Sequence, residues 1–384
     1  MRAGVVLSGF DSDFRAEIQD KKPILIKSAF DPSYISQEEM NEIFLCSDPA
    51  HENFKIAYES RVLAKSEYTE LYQDIGDPQV RLKQQVVYEL LGKGATLIAN
   101  KVVNSAKIFR IENEMSAITG RRSLTSAYLA YRSMDSFRSH WDTRDVFALQ
   151  FAGRKRWVIN APSFSNPLYM QQSKDLEHIY PKSNDIYMDV IVEPGDIIYV
   201  PRGWWHNPLP IGEKTFHLTI GTYAPTGRDF FSWIYTLLPQ IENARQYLTD
   251  FQKDRKVLSD FADEICKLMC DESTYDNFLR AHAERWRSTP PLKLDLLSSL
   301  ESGLDLGIRC RLSSSVSYAP GQNFISNNGI YIKREGVESK LFDLIGKQPE
   351  VSVKDILKQF SVAEAAECQS IIKQLARYGV VILS

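Results

Sequence analysis

The sequence predicts an α+β fold in three parts: a β-rich barrel with helical decoration, a helical region and a small C-terminal module. Short runs rich in Val, Ile, Phe, Tyr and Trp, punctuated by Gly and Pro, continue to about residue 228. Apolar residues then recur at three- and four-residue steps, and three helical patterns closed by a strand end the chain. The 384 residues suffice for two or three domains of about 150 residues. We therefore predict domains at 1–228, 229–315 and 316–384.

The composition excludes several classes of protein. Hydrophobic residues make up 43% and charged residues 25%, values that exclude long disorder and coiled-coil architecture. Lys and Arg number 46 against 49 acidic residues, so no basic field exists for strong non-specific nucleic-acid binding. No apolar run is long enough for a signal peptide or a membrane span, and five cysteines fit a reducing compartment better than a disulfide framework. We expect a cytoplasmic protein without membrane association.

Five runs with the length and composition of strands predict the barrel. They read AYLAY, VFALQF, RWVINAP, DIIYVPRGWW and HLTIGTYAP. Short strands of this kind are typical of an antiparallel jelly roll, which brings strands that are distant in sequence side by side. Residues far apart in the chain can therefore meet in one site.

An amphipathic pattern after residue 229 predicts the helical region. Leu258, Phe261, Ile265, Leu268 and Met269 follow the spacing of one helix face. An apolar helix face of this kind suits an oligomer interface, and a two-fold contact is the default. We expect a homodimer through helices in residues 229–300.

Two cysteines share a face of the same helix. Cys266 and Cys270 are four residues apart, so they could in principle bind a metal together. No second Cys or His pair follows at zinc spacing, so we interpret both as core residues.

The last part of the chain predicts a winged-helix-like module. A strand from Ile330 to Lys333 precedes the helical patterns ESKLFDLIGK and VKDILKQF, a third helix that opens with a capping box at Ser361 and Glu364, and the terminal strand YGVVIL. The third helix carries Glu364 and Glu367 against two basic residues, whereas a helix that enters a DNA groove normally presents a basic surface. We favour a structural or protein-docking role over DNA binding.

The segment SHWDTRDVFALQF carries the first chemical signal. His140 and Asp142 are two residues apart at the start of a predicted strand, and such residues project from the same face. An H-x-D pair is weak evidence alone, and its members can be ordinary half-buried residues. His206, in EPGDIIYVPRGWWHN, lies where a jelly roll can bring a third ligand to the pair. Two histidines and one carboxylate form the facial triad of non-haem Fe(II) oxygenases, with open positions for a co-substrate and O2.

Lys155 supplies the second signal. It lies in the segment GRKRWVINAP, on the predicted strand that follows a tight turn at Ala152 and Gly153. A lysine that points into a barrel is costly to bury unless it meets an anion, and the distal carboxylate of 2-oxoglutarate is such an anion.

With these motifs the sequence resembles the JmjC-type, cupin-like 2-oxoglutarate oxygenases, and within them the ribosomal oxygenases, bacterial members included. The resemblance rests on His140-Trp141-Asp142, Gly153-Arg154-Lys155-Arg156-Trp157, Gly195-Asp196 through Pro201, Gly203 and His206, and Thr219-Ile220-Gly221 before Ala224-Pro225. Members of this group are built from a double-stranded β-helix (jelly-roll) barrel, a helical dimerisation region and a winged helix. That order matches the predicted parts of this chain.

The resemblance implies a role for each matched residue. His140, Asp142 and His206 are the implied iron ligands, Lys155 the anchor for the 2-oxoglutarate 5-carboxylate, and Thr219 a hydroxyl that assists it. Ser126 and Tyr128 fall on the strand that lines the co-substrate pocket. His217 shares a strand face with Thr219 and is an alternative ligand to His206, although the GWWH context favours His206.

The resemblance implies hydroxylation of a protein or peptide side chain, with a ribosomal protein as the leading substrate. Family members often approach the H-x-D motif through a Gly- and Pro-rich loop, whereas this chain has RSMDSFRS at 132–139. The difference concerns substrate identity, so a ribosomally made peptide natural product or an RNA base remains an alternative. The same triad also suits a Mn or Zn cupin enzyme, and a non-catalytic scaffold is a further hypothesis.

Overall fold

The computed structural model describes residues 7–132, 138–287, 290, 292, 304–313, 324–327, 330–346 and 350–383. The chain divides into two compact units, Met1–Tyr223 and Ala224–Ser384. Most of the atypical approach to His140, residues 133–137, lies outside the described residues. The boundaries of the three predicted domains stay a prediction.

The first unit is built mainly from strands. They are β1 (Ile24–Ile26), β2 (Phe54–Tyr58), β3 (Arg61–Val62), β4 (Thr69–Asp74), β5 (Asp77–Leu82), β6 (Thr96–Ala99), β7 (Arg122–Ala130), β8 (Asp145–Ala152), β9 (Lys155–Asn160), β10 (Ile186–Val192), β11 (Ile197–Val200), β12 (Trp205–Pro210) and β13 (Thr215–Tyr223). The helices are α1 (Gln37–Leu45), α2 (Lys65–Tyr68), α3 (Gln84–Lys93), α4 (Ala106–Thr119) and α5 (Ser173–Leu176), with short π and 3-10 turns at Phe14–Ile18 and Pro32–Tyr34. All five predicted strand runs are confirmed.

Two antiparallel sheets form the jelly roll. The larger has the strand order β1-β11-β8-β13-β7-β6-β2-β3, and the smaller has the order β10-β9-β12. Strand β13 lies between β7 and β8, in a register that places Thr219 opposite both Ser126 and Ala148. Strands that are distant in sequence are thereby neighbours, as predicted.

Strand β8 shows why strands of the barrel consist of nearly continuous runs of apolar residues. Phe147, Leu149 and Phe151 point into the core that the helices and the N-terminal strands cover. Val146 and Ala148 point the other way, into the cluster formed with the smaller sheet. A strand buried on both faces loses the alternation of polar and apolar residues.

The second unit contains a helical part and a small mixed part. Its helices are α6 (Gly227–Tyr235), α7 (Phe251–Cys270), α8 (Glu272–Glu284), α9 (Gly336–Gly346), α10 (Val353–Leu357) and α11 (Val362–Arg377), with 3-10 turns at Leu238–Gln240 and Asn243–Arg245. Its strands are β14 (Arg309–Leu312), β15 (Phe324–Asn327), β16 (Ile330–Lys333), β17 (Val351–Ser352) and β18 (Val381–Leu383). Strands β17, β14 and β18 form one sheet and β15 and β16 a hairpin. The predicted capping box at Ser361 and Glu364 is confirmed.

The interpretation of Cys266 and Cys270 as core residues is wrong, because both are exposed on α7. The periodicity that suggested burial is real, but α7 has no buried residue in the structure of one chain.

None of the helices in the described part of the chain combines the length and apolarity that a membrane span requires.

Candidate metal centre

Two histidines and an aspartate lie together in the first unit. His140, Asp142 and His206 each offer a ligand atom, and these atoms lie within 4.8 Å of one another. His206 is buried and the other two are half-buried. Within the described ranges, no other group of three His, Cys, Asp or Glu residues has this geometry.

The backbone brings the two histidines together. His140 and His206 form an isolated antiparallel bridge, in which each N–H donates to the other's carbonyl at 3.1 and 2.8 Å. Their ring centroids are 4.4 Å apart. A pairing of backbones, rather than contact between side chains alone, therefore places the two imidazoles.

The expectation that His140 and Asp142 share the face of a strand is wrong, since β8 begins only at Asp145. Asp142 lies in a loop, where the Gly203 N–H donates to its carbonyl at 2.9 Å. Gly203 has φ +84°, and a Cβ there would lie 2.8 Å from the carbonyl oxygen of Phe164. The turn that holds Asp142 thus requires glycine. The triad converges because the turn before β12 binds the loop before β8.

Hydrogen bonds to carbonyls determine which ring nitrogen of each histidine is available. His140 Nδ1 lies 2.8 Å from the carbonyl oxygen of Arg138, and His206 Nδ1 lies 3.0 Å from that of Trp204. Because a carbonyl only accepts, each Nδ1 carries the proton and each Nε2 presents its lone pair. Burial, with the nearby His140 adding to it, lowers the pKa of His206 to about 4, so its ring is neutral near pH 7.

Arg144 keeps Asp142 ionised. Burial raises the pKa of this carboxyl, but nearby positive charge, chiefly that of Arg144, outweighs it and holds the pKa below its ordinary value. The guanidinium nitrogen of Arg144 lies 3.8 Å from an Asp142 oxygen. A Cβ on Gly221 would lie 2.8 Å from Arg144 Cδ, so glycine at this position of β13 leaves room for the arginine.

A cavity of about 80 Å³ adjoins the triad. Its lining is Thr96, Tyr128, His140, Asp142, Val146, Lys155, Trp157, His206, Pro208, Pro210, His217 and Thr219. The predicted residues Lys155, Thr219 and Tyr128 are therefore in the same cavity as the triad. Ser126, two residues before Tyr128 on β7, is not part of the lining.

Lys155 is buried in this cavity, and its charge is the next feature of the site. It is 4% exposed, and the described part of the chain gives it no carboxylate within salt-bridge distance. Its ammonium lies 3.4 Å from Nδ1 of His217, and burial lowers its pKa to about 8. An unpaired buried cation favours an anionic ligand.

Sequence reasoning missed Arg144 and Thr96. Arg144 follows Asp142 by two residues, but its approach depends on Gly221, which only the register of β13 brings near. Thr96 belongs to the buried run TLIA, in which nothing marks one residue as pointing into a cavity. Trp141, which lies between His140 and Asp142 in the chain, is 1% exposed, and its indole donates to the Gln171 carbonyl.

Residues 98–230 match the JmjC domain family, a range that contains the triad and Lys155. The bifunctional lysine-specific demethylase and histidyl-hydroxylase NO66 of Drosophila persimilis is 33% identical over 99 residues, which are 26% of this chain and 14% of that protein. Ribosomal oxygenase 2 of Rattus norvegicus is 31% identical over 119 residues, 30% of this chain and 24% of that protein. The chain spans between 10% and 38% of the length of the curated relatives it matches.

The fold extends the similarity to nearly the whole chain. The ribosomal oxygenase YcfD from Escherichia coli, solved with cobalt and 2-oxoglutarate, has a TM-score of 0.57 at 16% identity and covers 98% of this chain and 99% of its own. Another YcfD structure has a TM-score of 0.59 over the same shares. At this identity the likeness shows a common fold.

Proposed function

We propose that this chain, whose residues 98–230 are a JmjC domain, is an Fe(II)- and 2-oxoglutarate-dependent oxygenase that hydroxylates a protein or peptide side chain. The observation that carries the proposal is a buried lysine, with no carboxylate partner among the described residues, in the cavity that also holds a two-histidine, one-carboxylate cluster. A metal ion bound by the cluster and a dianionic 2-oxo acid bound by the lysine would together account for both features.

The cluster fits Fe(II). His140, Asp142 and His206 would hold the ion with two neutral imidazoles and one carboxylate, the donor set of non-haem iron oxygenases. Because the carbonyls of Arg138 and Trp204 hold the protons of both rings on Nδ1, the Nε2 atoms would be the ones that bind metal. Three protein ligands leave coordination positions open for a co-substrate and O2.

The cavity fits 2-oxoglutarate. Lys155 would bind the distal carboxylate, with the Thr219 hydroxyl beside it and the Tyr128 ring along the wall. Bound iron and 2-oxoglutarate supply the oxidative chemistry, in which O2 converts the 2-oxo acid to succinate and CO2 and oxidises a C–H bond. Trp157, Pro208 and Pro210 give the cavity apolar walls, which exclude water and would strengthen the attraction between the Lys155 ammonium and a bound carboxylate.

The similar proteins support a substrate class. NO66 is named a histidyl-hydroxylase, and YcfD and the rat relative are named ribosomal oxygenases. We take a side chain of a ribosomal protein as the leading candidate, with a ribosomally made peptide or an RNA base as the alternative. A Mn or Zn cupin enzyme without a 2-oxo acid would leave Lys155 without a role.

The finer assignment of the second unit belongs to the same proposal. Helix α7 has no buried residue although Leu258, Phe261 and Ile265 line one of its faces, which supports a homodimer through this region. The three helices α9 to α11 with the β17-β14-β18 sheet support a winged-helix-like module. The predicted cytoplasmic location stays a prediction.

The proposal is tested by mass spectrometry of ribosomal proteins from cells with and without the gene. A hydroxylation, seen as one added oxygen, should be present only with the gene and should disappear when the gene carries Asp142→Ala. If the ribosomal proteins are identical in both cells while the purified enzyme converts 2-oxoglutarate to succinate, the chemistry stands and the ribosomal substrate is rejected. If the enzyme forms no succinate above the Asp142→Ala variant with any substrate mixture, the oxygenase proposal is rejected.

A further inference from the structure

A third histidine lies in the cavity and is not part of the metal cluster. His217 is 4% exposed, lines the same cavity as the triad, and is absent from the group whose ligand atoms converge. Its position on β13, opposite Tyr128 of β7 and Gln150 of β8, is in the interior of the larger sheet. The proposed function gives this residue no task.

Neighbouring rings hold the imidazole of His217. It stacks on the Tyr128 ring with a centroid distance of 4.9 Å and an interplanar angle of 10°, and it meets the Trp157 ring edge to face at 6.5 Å. Such contacts fix the plane of the ring. The orientation that results turns Nδ1 toward the Lys155 ammonium, 3.4 Å away.

The roles in this contact follow from the chemistry of the two groups. An ammonium has donors only, so His217 Nδ1 must accept from it and Nε2 carries the ring proton. Burial, and then the charge of Lys155, lowers the pKa of His217 well below its ordinary value, which keeps the ring neutral and able to accept. One proton of Lys155 is thus directed to the wall of the cavity and the others remain for a ligand.

We propose that His217 is a positioning residue for the co-substrate: its Nδ1 holds the Lys155 ammonium where the distal carboxylate of a five-carbon 2-oxo acid binds. This inference rests on the proposed function and extends it to a residue that does not bind the metal. A flexible lysine side chain loses rotational freedom when an anion binds it, and a pre-formed contact to His217 reduces that loss. The selectivity of the site for a second carboxylate then depends on His217 as well as on Lys155.

The test compares two 2-oxo acids that differ only at the distal end. The full-length protein is loaded with Fe(II) without O2 and titrated with 2-oxoglutarate or with 2-oxopentanoate, which has five carbons but no distal carboxylate. The visible band of the chelated complex reports binding without turnover. His217→Phe retains a ring for the stack on Tyr128 and removes both nitrogens, while His217→Asn restores an acceptor near the position of Nδ1.

We expect His217→Phe to weaken the binding of 2-oxoglutarate about tenfold, which is the effect of losing one hydrogen bond to a charged group. The affinity for 2-oxopentanoate should stay within about twofold of the wild-type value. His217→Asn should recover most of the loss. In a Lys155→Met background, His217→Phe should have no further effect on 2-oxoglutarate, and this comparison serves if the single Phe variant folds poorly.

Three results would overturn the inference. Equal weakening of both acids would mean general damage to the cavity, and unchanged affinity for 2-oxoglutarate would mean that His217 only fills space. In both cases a visible band in the wild-type protein would still support the proposed function. Absence of the band in the wild-type protein with either acid would reject the proposed function and this inference with it.

Discussion

Strand β8 and helix α7 differ sharply in where their apolar side chains lie. Seven of the eight positions of β8 are buried, whereas no residue of the 20-residue α7 is buried. The first unit even encloses Lys155, which is 4% exposed, although burying an ammonium group is costly. The second unit leaves Phe261 and Ile265 only half covered on an amphipathic helix. The barrel completes its own site within one chain, while α7 has an apolar face that the described part of the chain covers only in part.

The largest expected effect is in the barrel, on substitution of a metal ligand. Asp142→Ala removes the one carboxylate of the cluster, so succinate formation should fall at least about a hundredfold, more than the loss of groups that only orient ligands. The control Asp189→Ala removes an exposed carboxylate that pairs with Arg156 on the smaller sheet, and it should leave the rate within about twofold. Succinate is quantified by mass spectrometry. Equal rates for wild type and Asp142→Ala would show that the triad is not the site.

A charge on the apolar face of α7 should affect assembly and not the barrel. Phe261→Asp should weaken a homodimer by at least about tenfold, since it buries an unpaired carboxylate in the interface. Ala262→Asp adds the same charge at an exposed neighbouring position and should have no effect. Light scattering over a concentration series measures both, and 2-oxoglutarate affinity should be unchanged in each. A wild-type protein that is monomeric throughout the micromolar range would contradict a homodimer through α7.

Lys155→Met should make the barrel more stable and should strongly weaken the binding of 2-oxoglutarate. Burial lowers the pKa of Lys155 to about 8, below its value in the unfolded chain, so the ammonium destabilises the folded state at pH 7. Removing it should raise the free energy of unfolding in urea by about 1 to 3 kcal/mol when no ligand is present. The gain should shrink as the pH rises from 8 toward 10. A destabilised variant would mean that the lysine already has an anionic partner.

The smallest effect is the pH dependence of co-substrate binding. Only the protonated Lys155 attracts the distal carboxylate, so affinity for 2-oxoglutarate should be full below pH 8 and fall above it, by up to about tenfold per pH unit. 2-Oxopentanoate, titrated in parallel against the Fe(II)-loaded protein, should lack this decline. An equal decline for both acids would place the titrating group on the metal side of the cavity.

The strands and the candidate site differ in how well the sequence predicts them. Runs such as VFALQF and HLTIGTYAP are predictable because burial on both faces leaves mainly apolar side chains, interrupted only by single polar residues. The convergence of His140, Asp142 and His206 is predictable from residue types, but its cause is not, because a backbone bridge between loop and strand has no sequence pattern. Arg144 also escapes prediction, since its place depends on Gly221 across the sheet. The burial of Cys266 is mispredicted because periodicity indicates that a helix has an apolar face but not how far the rest of the chain covers that helix.

The central claim is that one cavity binds Fe(II) at the triad and 2-oxoglutarate at Lys155. Anaerobic titration of the metal-free protein with Fe(II) and then 2-oxoglutarate tests it most directly, with Asp142→Ala and Lys155→Met beside the wild type. We predict a visible charge-transfer band in the wild type, no band in Asp142→Ala, and a band in Lys155→Met only at much higher 2-oxoglutarate concentration. Tight Fe(II) binding without any band in the wild type, or a band with the same midpoint in Lys155→Met, would contradict it.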